Sequence, residues 1–221
     1  MLSQTLCFIG GGRAETGELN GIIAELKHHI PPGASACMIQ FATEVEKQAR
    51  WIKSATEFFR LLGVDKISVL DSRLSNSEMS AVIYEHSILY FTGGRPEMLL
   101  NQLEYFELIP VIQQFNGMLI GVSAGALAFC KDCLITKDND YPATYILKGI
   151  GLVPFTVEVH YHEQIDDEIL PHTFDRTIYG LRNGSALINR HGSVKPVGDI
   201  ISFTEGEKTI LPIKAGKEGP R

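Results

Sequence analysis

The sequence predicts an α/β fold: a parallel sheet flanked by helices, with antiparallel strands added toward the C-terminus. Three observations carry that expectation. Short β-rich runs alternate with helix-spaced apolar patterns from Thr5 to Phe129, as βαβ units do. Glycine-containing turns follow the first, fourth and fifth of these runs, at the edge where open parallel sheets place ligands. From Thr177 onward the pattern changes to brief β-runs bounded by turn residues, which suits antiparallel strands. No composition shift, repeat or low-complexity stretch marks a linker, so residues 1–221 are expected to form a single α/β domain.

The first strand, Thr5–Ile9, ends in Gly10-Gly11-Gly12. From Glu15 to Ile30 the spacing is helical, with Leu19, Ile22, Ile23 and Leu26 on one face. The G-G-G-R turn lacks G-x-G-x-x-G, so close backbone approach explains its glycines better than a dinucleotide phosphate does. Pro31-Pro32-Gly33 closes the helix. Ala36–Phe41 is the second strand, and Glu44–Leu62 a long amphipathic helix carrying Trp51, Phe58 and Phe59. That aromatic stripe is read as core or as a subunit contact, which leaves a homodimer open. Lys66–Leu70 and Ser87–Phe91 are strands three and four, separated by a helix at Ser77–Tyr84. The fourth runs into Thr92-Gly93-Gly94-Arg95-Pro96, then a helix from Glu97 to about Phe106. A Gly-Gly turn at this edge can aim a backbone N–H at a developing oxyanion, and Arg95 can grip a substrate carboxylate with two hydrogen bonds.

Residues Met118–Val122 form an apolar strand, followed at once by Ser123 and a small-residue helix, Ala124–Phe129. Gly121-Val122-Ser123-Ala124-Gly125 fits G-x-S-x-G, the nucleophile-elbow pattern. Glycines two before and two after the serine let a strained strand-to-helix turn close without Cβ clashes. The turn lifts the hydroxyl out of the sheet and leaves helix N-terminal N–H groups to hold an oxyanion. The competing interpretation is an ordinary tight turn whose serine caps a helix.

Farther on, Ile146–Val153 and Thr156–Tyr161 look like strands, the latter placing Glu158, His160 and His162 on one face. Tyr179–Leu181, Ala186–Asn189, Val194–Val197, Ile200–Thr204 and Thr209–Ile213 are short β-runs, with hairpin turns at 190–193 and 205–207 and a frayed tail from Lys214. H-x-H on a strand has the spacing to chelate a metal, but no third ligand is evident, so no metal is expected. Cys7 and Cys37 lie in apolar runs, and the unpaired C-x-x-C at Cys130 and Cys133 ends the elbow helix. All four are read as packing residues.

At 221 residues, 44% of them apolar, the chain can bury a sizeable core. Its net charge of −6 and lack of a basic stripe argue against nucleic acid and anionic membranes as partners. No leader and no bilayer-length apolar run is visible, so a cytoplasmic location is expected.

A serine nucleophile needs a base, and the base needs something to hold it. His191 occupies a wet hairpin tip and His172 a loop, so spacing ranks His160 first and His162 second. Asp138 and Asp140 lie between the elbow helix and the His160 strand, and either could orient an imidazole.

Five segments together resemble the peptidase E (aspartyl dipeptidase) and cyanophycinase family of serine peptidases: Phe8-Ile-Gly-Gly-Gly12, Phe91-Thr-Gly-Gly94, Gly121-Val-Ser-Ala-Gly-Ala126, Asn139-Asp-Tyr-Pro142 and Leu152 through His160. The resemblance implies a flavodoxin-like, class I glutamine amidotransferase-like fold and hydrolysis of short peptides in the cytoplasm without cofactor or metal. It implies Ser123 as nucleophile, His160 as base, Asp140 as the acidic member, and the N–H groups of Gly94 and Ala124 as oxyanion donors. The chain departs from the family where Arg95 replaces an asparagine. It departs again in the Gly180–Gly184 turn, where relatives often carry an acidic residue and Arg182 and Asn183 stand here. Both changes favour an acidic substrate and leave Asp-dipeptide preference open, while the acidic stretch Glu163–Glu168 pulls the other way. Two other readings are an α/β-hydrolase-type esterase with the same elbow and a non-catalytic amidotransferase-like binding module. A serine at the elbow argues against glutamine hydrolysis, which calls for a thiolate.

Overall fold

A computed structural model describes residues 4–211. The chain runs through β1 (Thr5–Ile9), α1 (Asn20–Leu26), β2 (Ser35–Ile39), α2 (Val45–Leu62), β3 (Lys66–Val69), α3 (Asn76–Tyr84) and β4 (Ile88–Phe91). It continues through α4 (Pro96–Tyr105), α5 (Ile109–Gln114), β5 (Met118–Val122) and α6 (Ala124–Phe129). Then come β6 (Asp132–Ile135), β7 (Tyr145–Lys148), β8 (Thr156–Val159), α7 (Asp166–Ile169) and β9 (Ile178–Leu181). The last strands are β10 (Ala186–Arg190), β11 (Ser193–Val197), β12 (Ile200–Thr204) and β13 (Glu207–Ile210).

Seven strands form the main sheet in the order β11-β10-β1-β5-β4-β2-β3. The five from β1 to β3 are mutually parallel, while β10 and β11 add antiparallel at one side. Strand β5 lies between β1 and β4, so the glycine-containing ends of all three meet at one edge. This is the architecture the sequence predicts. A smaller sheet, β13-β12-β9-β8, holds β8 parallel to β9, and β6 pairs with β7.

Two apolar layers cover the main sheet. One contains Phe8, Phe91, Phe129 and Phe155, the other Ile22, Phe58, Phe59 and Tyr90. Such opposite faces follow from side-chain alternation along buried parallel strands. Phe129 stands edge-on to Phe8 at 5.6 Å and to Phe91 at 5.0 Å, which ties α6 down onto β1 and β4. The aromatic residues of α2 are spent within the fold: Phe58 and Phe59 are fully buried, and the Trp51 indole packs over Gly93. Phe58 and Phe59 are thus core residues, while Trp51 stays half-buried. All four cysteines are free and buried, as packing residues should be. Burial pushes the Cys37 thiol up to about 11 and the Cys130 thiol up to about 12.

Several elements differ from the sequence reading, each for a local reason. Helix α1 covers less than the predicted 15–30, because Glu18 accepts hydrogen bonds from the Arg13 N–H and the Thr16 hydroxyl. A polar turn, with Gly17 at φ +80°, thereby replaces the first helical turn. Strand β7 stops at Lys148 because Gly149, Ile150 and Gly151 donate instead to backbone oxygens of Lys131, Ala128 and Cys130 around the end of α6. Helix α5 is an addition to the sequence reading. The hairpin tips carry positive φ at His191 and Gly192 and at Glu205 and Gly206, the conformation tight hairpins require. The end of the expected strand 209–213 and the tail from Lys214 lie outside the described residues. Among the described residues, no helix is long and apolar enough to cross a membrane.

Because Phe129 joins the elbow helix to two strands, Phe129→Ala should destabilise the protein by about 3–5 kcal/mol. Urea unfolding checks this, with a lowered midpoint at an unchanged slope as the expected result.

Candidate active site

The site forms where β1, β4 and β5 end side by side. Ser123 leaves β5 at φ 51°, ψ −113°, a backbone state that costs a non-glycine residue about 1–3 kcal/mol. The turn is over-determined by its surroundings. The Ser123 N–H donates to Ile9 O at 3.0 Å, and its carbonyl accepts from Ala126 and Leu127. A Cβ on Gly121 would lie 2.5 Å from the Gly125 backbone, and one on Gly125 would lie 2.4 Å from Phe91 O. Glycine at both places is therefore a steric requirement of the elbow. The hydroxyl does not cap α6, so the capping interpretation falls.

The hydroxyl instead meets His160, with Oγ and Nε2 separated by 2.9 Å. His160 follows β8 with φ 53°, and its N–H donates to Gly10 O at 2.9 Å. On the far side of the ring, Nδ1 lies 2.7 Å from Asn183 Oδ1. An amide oxygen only accepts, so Nδ1 carries the proton and Nε2 is left to accept from Ser123.

Asp140, the acidic member implied by the resemblance, does not hold this imidazole. It lines the cleft, but the ring position expected for it belongs to Asn183. Asp138 is engaged in its own loop, where Oδ1 accepts from the Asp140 and Tyr141 N–H groups at 2.7 and 2.8 Å. His162 lies beside the cleft without replacing His160 on Ser123. Among the described residues no group of three His, Cys, Asp or Glu is disposed to hold a metal ion.

Asn183 is the residue sequence reasoning missed. Its signal was the 180–184 turn, which the family resemblance marks as a departure at Arg182 and Asn183. The turn is locked to β1: Gly10 N donates to Ser185 O and Gly184 N to Gly11 O, both at 3.0 Å. A Cβ on Gly11 would lie 2.3 Å from Asn183 Oδ1 and 2.4 Å from His160 Cε1. Backbone approach to the imidazole and the carboxamide thus explains this glycine, as the sequence reading preferred.

Gly94 and Ala124 both line the cleft with Ser123. Neither N–H donates to an acceptor among the described residues. Gly94 has φ +138°, and a Cβ there would lie 2.2 Å from Ala42 O. Arg95, expected to bind substrate, is not part of the cleft wall. Its side chain is 62% exposed and reaches Glu97 Oε1 at 4.0 Å. Arg182 is likewise paired, with Glu163, and stacks over the Tyr161 ring at 5.3 Å. The cation that does line the cleft is Lys137.

The cleft encloses about 230 Å³. Glu158, two residues before His160, lines it while only 4% exposed. Its Oε1 accepts from the Thr136 hydroxyl at 2.9 Å, whereas buried Oε2 accepts from no described residue. Burial pushes this carboxyl up to about 8, opposed by the Thr136 hydrogen bond and reinforced by the Asp138 charge.

A serine on a strained elbow, bonded to an imidazole above the edge of a parallel sheet, is the arrangement of a serine hydrolase. The chain belongs to peptidase family S51, whose model matches residues 6–197. It is thus a serine-type, peptidase E-like hydrolase, and the α/β-hydrolase reading falls away. The chain resembles the crystal structure of a peptidase from an acI-B1 Actinobacterium with a TM-score of 0.71 at 18% identity, over 97% of this chain and 96% of that one. It also resembles a proposed peptidase E protein of Listeria monocytogenes EGD-e with a TM-score of 0.70 at 20% identity, over 88% and 98%. No curated protein sequence matches the chain.

The buried carboxyl makes stability depend on pH. Its folded value, about 8, lies above the ordinary 4.5, so between those values the folded state keeps a proton that the unfolded chain releases. Stability therefore falls as pH rises through this window, by up to about 1.4 kcal/mol per pH unit. Relative to Glu158→Gln, the wild type should lose at least about 1 kcal/mol between pH 5 and pH 8. Urea unfolding of both proteins at the two pH values measures the difference, and parallel pH dependences would contradict the assignment.

Proposed function

We propose that the chain hydrolyses short peptides through Ser123, with His160 as general base and acid and Asn183 as the residue that positions the imidazole. The 2.9 Å contact between Ser123 Oγ and His160 Nε2 carries this reading. As Oγ attacks the peptide carbonyl carbon, its proton passes to Nε2. The oxyanion that forms is met by the free N–H groups of Gly94 and Ala124. The C–N bond then breaks, and the imidazolium returns the proton to the departing amine. Water, deprotonated by the same nitrogen, cleaves the acyl-enzyme to a carboxylic acid and frees Ser123.

Asn183 fixes the tautomer but brings no negative charge to the imidazolium, unlike the Asp140 of the expected triad. The cleft volume suits one or two side chains rather than a folded protein. Preference for an aspartyl residue is an expectation from the resemblance alone: Arg95 and Arg182 already face Glu97 and Glu163, and Lys137 shares the wall with Asp138 and Asp140.

A fluorophosphonate probe should label the wild type at Ser123 and leave Ser123→Ala unlabelled; equal labelling of both proteins would end this reading. For the positioning role, Asn183→Leu should lower kcat at least about 10²-fold with KM little changed. Asn183→Asp, which keeps the accepting oxygen, should retain turnover. Steady-state kinetics on a dipeptide and tripeptide library separates the two effects.

A further inference from the structure

Glu158 is the one buried carboxyl in the cleft that the chemistry above does not use. It lies on β8, two residues before His160, and both side chains line the cleft. It is 4% exposed, and Thr136 satisfies one oxygen while the other has no partner among the described residues. An orphaned buried polar atom of this kind costs roughly 1–3 kcal/mol, so its persistence in the cleft that holds Ser123 calls for a ligand.

The surroundings decide which ligand. Asp138 and Asp140 share the wall with Glu158, and Lys137 is the lysine or arginine that lines it. The two nearby arginines are withdrawn into pairs with Glu97 and Glu163. An approaching anion would meet the carboxylates of Asp138 and Asp140. An approaching cation would supply the partner that lets a buried carboxyl ionise without a large desolvation penalty.

Building on the peptidase reading, we propose that Glu158 is a specificity-determining residue, receiving an ammonium or guanidinium group of the substrate beside the scissile bond. Two sources offer that chemistry: the free N-terminus of a short peptide, and the side chain of lysine or arginine. The first would make the enzyme act from the N-terminal end of its substrate. The side-chain source would make it select residues within a chain.

Binding to the Ser123→Ala protein tests the assignment without turnover. Calorimetry would compare Ala-Ala with N-acetyl-Ala-Ala, and N-acetyl tripeptides containing lysine with those containing norleucine. The cationic member of at least one pair should bind at least tenfold tighter, and the pair that responds identifies the source. In Ser123→Ala/Glu158→Gln that advantage should shrink to less than threefold, with far-ultraviolet circular dichroism reporting whether the double variant folds. Absence of a preference in Ser123→Ala, or a preference undiminished in a folded double variant, overturns the proposal. Wild-type cleavage of the same peptides is read separately. Turnover without cation preference sinks this inference and spares the peptidase reading, while cation binding without turnover does the reverse.

Discussion

The tip of β1 passes between the His160 ring and the 181–184 turn with no room for a side chain. A Cβ on Gly10 would lie 2.5 Å from Leu181 O, and one on Gly11 would overlap both the imidazole and the Asn183 carboxamide. Hydrogen bonds from His160 N to Gly10 O, from Gly184 N to Gly11 O and from Gly10 N to Ser185 O close the gap. Two groups 23 positions apart in the chain are thereby held at 2.7 Å from one another. The same strand accepts the elbow N–H at Ile9 O. One bare stretch of backbone therefore sets the places of the serine, the imidazole and the carboxamide together.

Strain at the elbow is tolerable because the apolar layer beneath it holds the strand before the turn and the helix after it together. Phe8, Phe91 and Phe129 interlock below the turn, and burial of rings of this size contributes more than the left-handed backbone at Ser123 costs. The exposed groups of the site rest on that layer. The imidazole lies where substrate can reach it, and its geometry comes from backbone contacts rather than from packing of the ring itself.

The parallel half of the fold was legible because its signal is local. Strand and helix periodicities from Thr5 to Phe129, and the five residues of the elbow, state their own sterics. Pairing of Ser123 with His160 was legible only by elimination among histidines and by family likeness. The third partner was not legible, for a physical reason: contact between residues 160 and 183 is mediated by Gly11, which no spacing rule connects to either. The acidic loop misled because Asp138 uses its carboxylate on its own backbone, which leaves the loop a wall of the cleft rather than a support for the ring. Arg95 and Arg182 looked like free cations because their partners, Glu97 and Glu163, are ordinary surface residues in the sequence.

Glu97 has a larger part than pairing with an arginine. It opens α4 just beyond Gly94, and its carboxylate accepts from the hydroxyls of Tyr141 and Tyr145 at 3.1 and 2.8 Å. Tyr141 itself lines the cleft, at the end of the loop that starts at Lys137. The start of α4, just after the turn bearing the Gly94 donor, and the two tyrosines thus meet at one carboxylate. Loss of that carboxylate would unpair both phenols and the arginine beside the Gly94 turn at once.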